Sequence, residues 1–272
     1  MLLNAKTRAL ILSLPFAREF TNWYENSKNY IFFKRINKER RFEQRILSMK
    51  DTMRGKRCFI VGNGPSLTDE QLELIMRDYS FGANRIYKVF DKTAWRPDFY
   101  VLHDKYDLTT GIYENLKVDT FFVSDAYWKE HGMKNGNAIC YHVMRQVKPT
   151  HDIPFSSEVH KYIQSGFTVT FIMIQFACYM GFSEIYLIGM DHKYANEVNE
   201  KNQIIKKNNV KSHVFEDEKP NEVTANICGM EDAYRIARNY CEQHDITIKN
   251  ASIGGALEIF DRVDFFSLFG GV

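Results

Sequence analysis

Two glycines, an amide and a hydroxyl fall within five residues at Gly62, Asn63, Gly64 and Ser66. An apolar run at 57–61 precedes them, and Thr68 and the acidic pair Asp69 and Glu70 follow. An apolar run stopped by glycine reads as a buried strand. Ser66 or Thr68 ahead of two acids reads as a helix start. The segment is therefore expected to be a strand, a tight turn and a helix. Glycines in that turn permit positive φ and a close approach of backbone to a ligand. The helix start offers N–H groups to a phosphate, and the Asn63 amide suits a phosphate or ribose oxygen. Pro65 stiffens the turn. The spacing is neither that of a Walker loop nor G-x-G-x-x-G.

Further polar residues stand where other apolar runs end. Asn84 closes a run at 79–84, Asp104 one at 97–104 and Asp191 one at 184–191. Ser165 and Gly166 precede a helical stretch over about 167–181, with Gly181 as its stop. His192, His213 and Asp217 are the candidates for a general base, a role that suits a histidine titrating near neutrality. No cluster of histidines has metal-ligand spacing, so no metal is expected.

Positioning these groups requires an alternation of strands and helices. A run at 120–124, a helical stretch at 229–244 and a run at 246–250 continue the pattern. Alternation of this kind predicts a doubly wound α/β fold with a mostly parallel, Rossmann-like sheet. Ligands in such folds bind at the carboxyl ends of the strands. Gly62, Asn63, Gly64, Ser66, Asn84, Asp104 and Asp191 then share one edge.

The chain has 272 residues, 44% of them hydrophobic and 26% charged, which is ample for a globular core. Its five cysteines are widely spaced with no C-x-x-C, so neither a disulfide framework nor a zinc site is expected. Residues 1–50 carry 11 Lys/Arg and 4 Asp/Glu, a net of +7, against a net of −5 for the rest. They read as a basic helical arm, interleaved with Phe16, Phe20, Trp23, Tyr24, Tyr30, Phe32 and Phe33. That composition suits an interfacial helix on an anionic membrane, or packing on the domain or in a homo-oligomer. The apolar run at 9–17 is too short to span a bilayer. Residues 51–272 form the α/β domain, and the polar stretch 192–226 reads as a lid with room for a short helix. A net acidic body without a recognition motif argues against nucleic acid.

The loop at 62–67 resembles the opening motif of the bacterial CMP-sialic acid sialyltransferases. Ser165 and Gly166, followed by Gly181, Glu184, Ile185, Tyr186, Leu187, Gly189 and Asp191, resemble their central block. The related 6-hydroxymethylpterin pyrophosphokinase-like group, which includes the Maf glycosyltransferase domain, is a nearer match. It is echoed at Asn84 to Tyr87, Arg96 to Tyr100 and Gly254 to Phe260. The resemblance covers roughly residues 56–265. It implies a cytoplasmic glycosyltransferase that takes a nucleotide-activated sugar, CMP-linked in the sialyltransferases, to a glycan or lipid-linked acceptor. The basic arm would give such an enzyme a peripheral contact with the inner membrane face.

The resemblance assigns nucleotide contacts to Asn63, Gly64, Ser66, Asn84, Ser165 and Gly166. Asp104 departs from an Asn of the family. The family's base is a histidine after the central block, which falls at His213 or, by direct alignment, near Asp217. The sialyltransferases work without a metal, so no cofactor is expected beyond the donor. Two alternatives stand beside this reading. One is a pterin-type pyrophosphokinase using Mg-ATP, with Asp104 and Asp191 as acidic ligands. The other is a nucleotide-binding protein without catalysis.

Overall fold

The computed structural model describes residues 17–104, 110–145, 153–198, 204–206, 213–215 and 224–270. Seven strands make the central sheet: β1 (Arg57–Val61), β2 (Tyr79–Ala83), β3 (Phe99–Leu102), β4 (Thr120–Ser124), β5 (Ala138–Tyr141), β8 (Glu184–Ile188) and β12 (Thr247–Asn250). Their order is β12-β8-β1-β2-β3-β4-β5 and every pairing is parallel. Alternate residues explain why. Cys58 and Ile60 enter one core layer, while Phe59 and Val61 enter the other, and all four are buried. A strand buried on both faces reads as a continuous apolar run and needs helices on both sides.

On the first face lie α6 (Val169–Met180) and α7 (Ile227–Gln243), joined by Phe42 and Ile46 of α2 (Arg41–Leu47). The second face is covered by α3 (Asp69–Leu74), Trp95, and Tyr127 of α5 (Asp125–His131), with Phe265 from the chain's end. A longer helix, α1 (Ala17–Ile36), lies against α5 and β6 (Val143–Met144), which pairs with β7 (Ile163–Gln164). A short helix α4 (Thr110–Glu114) follows β3.

The expected double winding is present, and its direction of travel places the site. From β1 the chain builds outward through β2 to β5, then returns to place β8 on the other side of β1. The order reverses between β1 and β8, and such a switch point opens a crevice at the strand ends. Val61 is in register with Ile188. The loops after both strands therefore leave the sheet side by side.

Two local expectations are corrected. Within 192–226 the described residues form a small sheet rather than a helix: β9 (Asn196–Val198) lies between β10 (Ile204–Lys206) and β11 (Ala225–Asn226). The helix after the glycine turn begins at Asp69, capped by Thr68 and not by Ser66. Thr68 Oγ1 accepts from Gln71 N at 3.2 Å while Gln71 Oε1 accepts from Thr68 N at 3.2 Å, a reciprocal capping box.

Candidate active site

A cleft of about 330 Å³ opens at the switch point. Its walls come from the turn after β1, the turn after β8, the entry to α6, and the polar stretch beyond residue 191. Gly62, Asn63, Gly64, Asn84, Asp191, His192 and His213 all line it. Ser66 stands behind the wall, where its N–H and hydroxyl both donate to Asp191 Oδ2, at 3.0 and 2.7 Å.

The glycines serve a purpose other than the one expected. Neither Gly62 nor Gly64 has positive φ. Instead, the β1 and β8 turns are pressed together. Gly62 N donates to Ile188 O at 2.8 Å and Gly64 N to Gly189 O at 2.9 Å. A Cβ on Gly62 would stand 2.7 Å from Met190 Sδ, and one on Gly64 would stand 2.5 Å from Gly189 O and inside the Asp191 carboxylate. Nor does the helix start face the cleft with open amides. Ser66 N is bound by Asp191, Leu67 N by Gly64 O, and Thr68 N by Gln71.

Positive φ appears instead at three non-glycine residues of the cleft: Asn84 (48°), Phe167 (60°) and His192 (52°). Such conformations persist only where surroundings enforce them, and they gather at functional sites. Asn84 shows the enforcement. Its Oδ1 accepts from His103 N and Asp104 N at 3.0 and 3.2 Å, and its carbonyl accepts from the hydroxyls of Tyr100 and Tyr113. Asn84 itself lines the cleft.

Three buried polar atoms without a protein partner also line this cleft: Asn63 Oδ1 and both ring nitrogens of His192. Glu231 Oε1 stands 3.5 Å from His192 Nε2, beyond a good hydrogen bond. Burial pushes the His192 pKa down, with Glu231 offsetting part of the shift. The rings of Tyr194 and Tyr234 flank it at 6.0 and 5.9 Å. Unpartnered buried groups are rare in folded proteins. Here three of them gather in one crevice.

His213 is carried on a segment tied to the glycine turn, since Val214 N donates to Asn63 O at 2.7 Å. Its ring stacks on Phe215 at 5.2 Å and 3°. Lys88 Nζ lies over the Phe215 ring at 5.3 Å. Asp217 lies outside the described residues.

Besides Ser66, three expected contacts sit apart from the cleft lining. Asp104 lies beyond Asn84, held by its amide. Ser165 and Gly166 form the bend from β7 to α6, where Ser165 N donates to Met144 O at 3.0 Å and Gly166 has φ 53°. Their successors Phe167 and Thr168 reach the cleft instead. Sequence reasoning missed Thr168, Lys193, Tyr194, Asn226 and Tyr234, which also line it. All but Tyr234 follow a turn or lie in the polar stretch, where no periodicity marks a residue as inward. Among the described lining residues Asp191 is the one carboxylate; the rest of their polar groups are amide, hydroxyl, imidazole and Lys193.

The knot at Asn84 makes one pH prediction. Burial pushes the neighbouring His103 imidazole down to about 3, and the Arg145 charge adds to the shift. An unfolded histidine titrates near 6.5. Between those values the unfolded chain holds a proton that the folded chain does not, so stability falls as pH drops from about 6.5 toward 3. Allowing for screening at a partly exposed ring, the loss from this residue is about 2 kcal/mol between pH 7 and pH 4.5. Urea midpoints at the two pH values should show that loss in the parent and its removal in His103→Gln. Equal pH dependence in both proteins would contradict it.

A family model described as 6-hydroxymethylpterin diphosphokinase MptE-like matches residues 30–197, which include β1 to β8 and the cleft's two turns. No curated protein matches the chain. Among solved structures, the chain is similar to the sialyltransferase CstII from Campylobacter jejuni in complex with cytidine-5'-monophosphate. That match has 15% identity, covers 77% of this chain and 85% of that chain, and has a TM-score of 0.44. The same enzyme in complex with CMP-3FNeuAc matches at 14% identity over 76% and 86%, with a TM-score of 0.46.

Proposed function

The chain belongs to the 6-hydroxymethylpterin diphosphokinase MptE-like family, and from that footing we propose that it is a metal-independent glycosyltransferase using a nucleotide-activated sugar, CMP-linked in kind. The observation that carries the reading is the character of the cleft. Among its described lining residues it offers an unpartnered amide oxygen at Asn63, unpartnered ring nitrogens at His192, and one carboxylate, Asp191, whose Oδ2 already accepts twice from Ser66. Mg²⁺ chemistry on a nucleotide draws on carboxylates held open for the ion. Asn63 Oδ1 accepts only, which suits a ribose hydroxyl or a base amino group, while the neutral His192 ring supplies an N–H donor that needs no metal.

In the proposed reaction an acceptor hydroxyl attacks the anomeric carbon of the donor. The new carbon–oxygen bond forms as the bond to phosphate breaks, and the nucleotide leaves as its monophosphate. The hydroxyl proton passes to a base, which we assign to His213. Asn63 and Asn84 hold the nucleotide, and the segment carrying His213 excludes water that would hydrolyse the donor. His192, kept neutral by burial, orients the sugar.

The family's description favours a second reading, diphosphoryl transfer from Mg-ATP to a pterin alcohol. One thermal-shift experiment separates the two. CMP without metal at about a hundred times its dissociation constant should add about 2.7 kcal/mol, or roughly 5–10 °C in a domain of this size. Asn63→Ala should abolish that shift while melting, unliganded, within a few degrees of the parent. Stabilisation by Mg-ATP alone would favour the diphosphokinase. Indifference of the CMP shift to Asn63→Ala would remove the nucleotide from this cleft.

A further inference from the structure

Helix α1 is amphipathic in the wrong sense. Its inward face repeats at Asn22, Asn26, Asn29 and Phe33, a spacing of three and four residues that keeps one side of a helix toward the body. Asn22 and Asn26 donate to Arg145 O at 2.8 and 3.1 Å, and Asn26 Oδ1 accepts from Arg145 N at 3.1 Å. Lys129 Nζ donates to Asn29 Oδ1 at 3.0 Å, and Phe33 is buried. The helix is thus anchored chiefly through amides. At about 100° per residue, Phe20, Tyr24 and Ile31 fall on the opposite side. They are 65%, 48% and 67% exposed, and Trp23 beside them is 63% exposed.

This placement is not the ordinary scatter of apolar groups over a surface. Of twelve exposed large hydrophobic side chains among the described residues, five stand on this one helix. Lys28 and Arg35 share the outward side, with Lys28 Nζ over the Tyr24 ring at 5.0 Å. Contiguous exposed aromatics mark an interaction surface, and cations among them say what it meets.

We propose that the outward face of α1 docks on an anionic lipid surface. Phe20, Trp23, Tyr24 and Ile31 would enter the headgroup region, with Lys28 and Arg35 against the lipid phosphates. Charge complementarity selects this occupant. Residues 1–50 carry a net of +7 while the rest of the chain carries −5. An anionic surface attracts the arm and repels the body, which orients the molecule. A second copy meeting this face across a two-fold axis would set cations against the same cations. Among the described residues no helix is long and apolar enough to cross a membrane, so contact through α1 lies in the interface plane. The inference is independent of what the cleft binds.

The test is sedimentation of the full chain with vesicles of phosphatidylcholine alone, and with about a quarter phosphatidylglycerol. Partitioning should rise by about tenfold or more on the anionic vesicles and fall as salt goes from about 0.1 M to about 0.5 M. Replacing Phe20, Trp23 and Ile31 together by serine should cut binding by about tenfold while leaving the melting temperature in place, because all three are exposed. Lys28→Glu with Arg35→Glu should remove the preference for the anionic vesicles. No sedimentation with the anionic vesicles, or binding indifferent to the triple serine variant, would overturn the proposal. So would a dimer in light scattering that the serine variant dissolves, which would make a second copy the occupant.

Discussion

Gly64→Ala should destabilise the protein by about 3 kcal/mol, lowering the melting temperature by roughly 6–10 °C. The methyl group would stand 2.5 Å from the Gly189 carbonyl and inside the Asp191 carboxylate. A rotamer change relieves a clash with a flexible side chain, but Gly189 O is backbone and accepts from Gly64 N at 2.9 Å. Relief therefore requires the ends of β1 and β8 to separate. Asp191 would be driven from Ser66 in the same movement, so the cleft should lose its shape along with its stability. Gly136→Ala is the matched control. That glycine is exposed, has no positive φ and meets nothing within 4 Å, so its effect should stay within about 0.5 kcal/mol. Calorimetry on the two variants decides the point. If Gly64→Ala melts within about 2 °C of the parent, the two turns are not pressed together as described.

That glycine illustrates what the sequence made legible. Gly62, Asn63 and Gly64 after an apolar run announced a special turn at a strand end, and the turn is there. The reason for the glycines was not legible, because it lies in Gly189 and Asp191, more than a hundred residues away. Long-range approach leaves no local pattern. The strands β1, β4 and β8 were readable because both faces are buried and the runs are continuous. By contrast, β5 is a four-residue strand, Ala138–Tyr141, between polar segments, and short edge strands carry little signal. The sheet within 192–226 was hidden for a different reason. Ile204 and Ile205 of β10 are exposed, so neither alternation nor a buried run betrays it. Asn84 and Asp191 were legible from position, since a polar residue just past a buried strand reaches the sheet's carboxyl edge, whereas His213 came from the family resemblance. Asp104 met the same criterion and is not among the lining residues; its main-chain N–H donates to Asn84 Oδ1.

The polar interior predicts the other large effect. Gln175 sits fully buried in α6, and each of its polar atoms is used twice. Its Oε1 accepts from Ser156 N at 3.2 Å and Gln164 N at 3.1 Å. Its Nε2 donates to Gln164 O at 2.9 Å and Phe171 O at 3.1 Å. The side chain thus does for β7 what a neighbouring strand would do, and it fixes the strand that leads into the bend at Ser165 and Gly166. Gln175→Met keeps the length and the unbranched shape, so packing is conserved and only the four hydrogen bonds go. The Ser156 and Gln164 amides and the Gln164 carbonyl then lose that partner in the interior, at about 1–3 kcal/mol for each such group. A loss of about 4 kcal/mol is expected, or roughly 10 °C in melting temperature. Hydrogen exchange gives a more local reading. The amides of Ser156 and Gln164 should lose protection by far more than those of β1, since the loss is confined to the segment Gln175 ties down. Exchange that rises equally in β1 and at Gln164 would mean Gln175 supports the whole core and holds no particular strand. Because Phe167 and Thr168, the two residues after the bend, line the cleft, the nucleotide binding proposed for it should weaken with the same variant. A buried amide remote from any ligand would then be setting the geometry of the cleft wall.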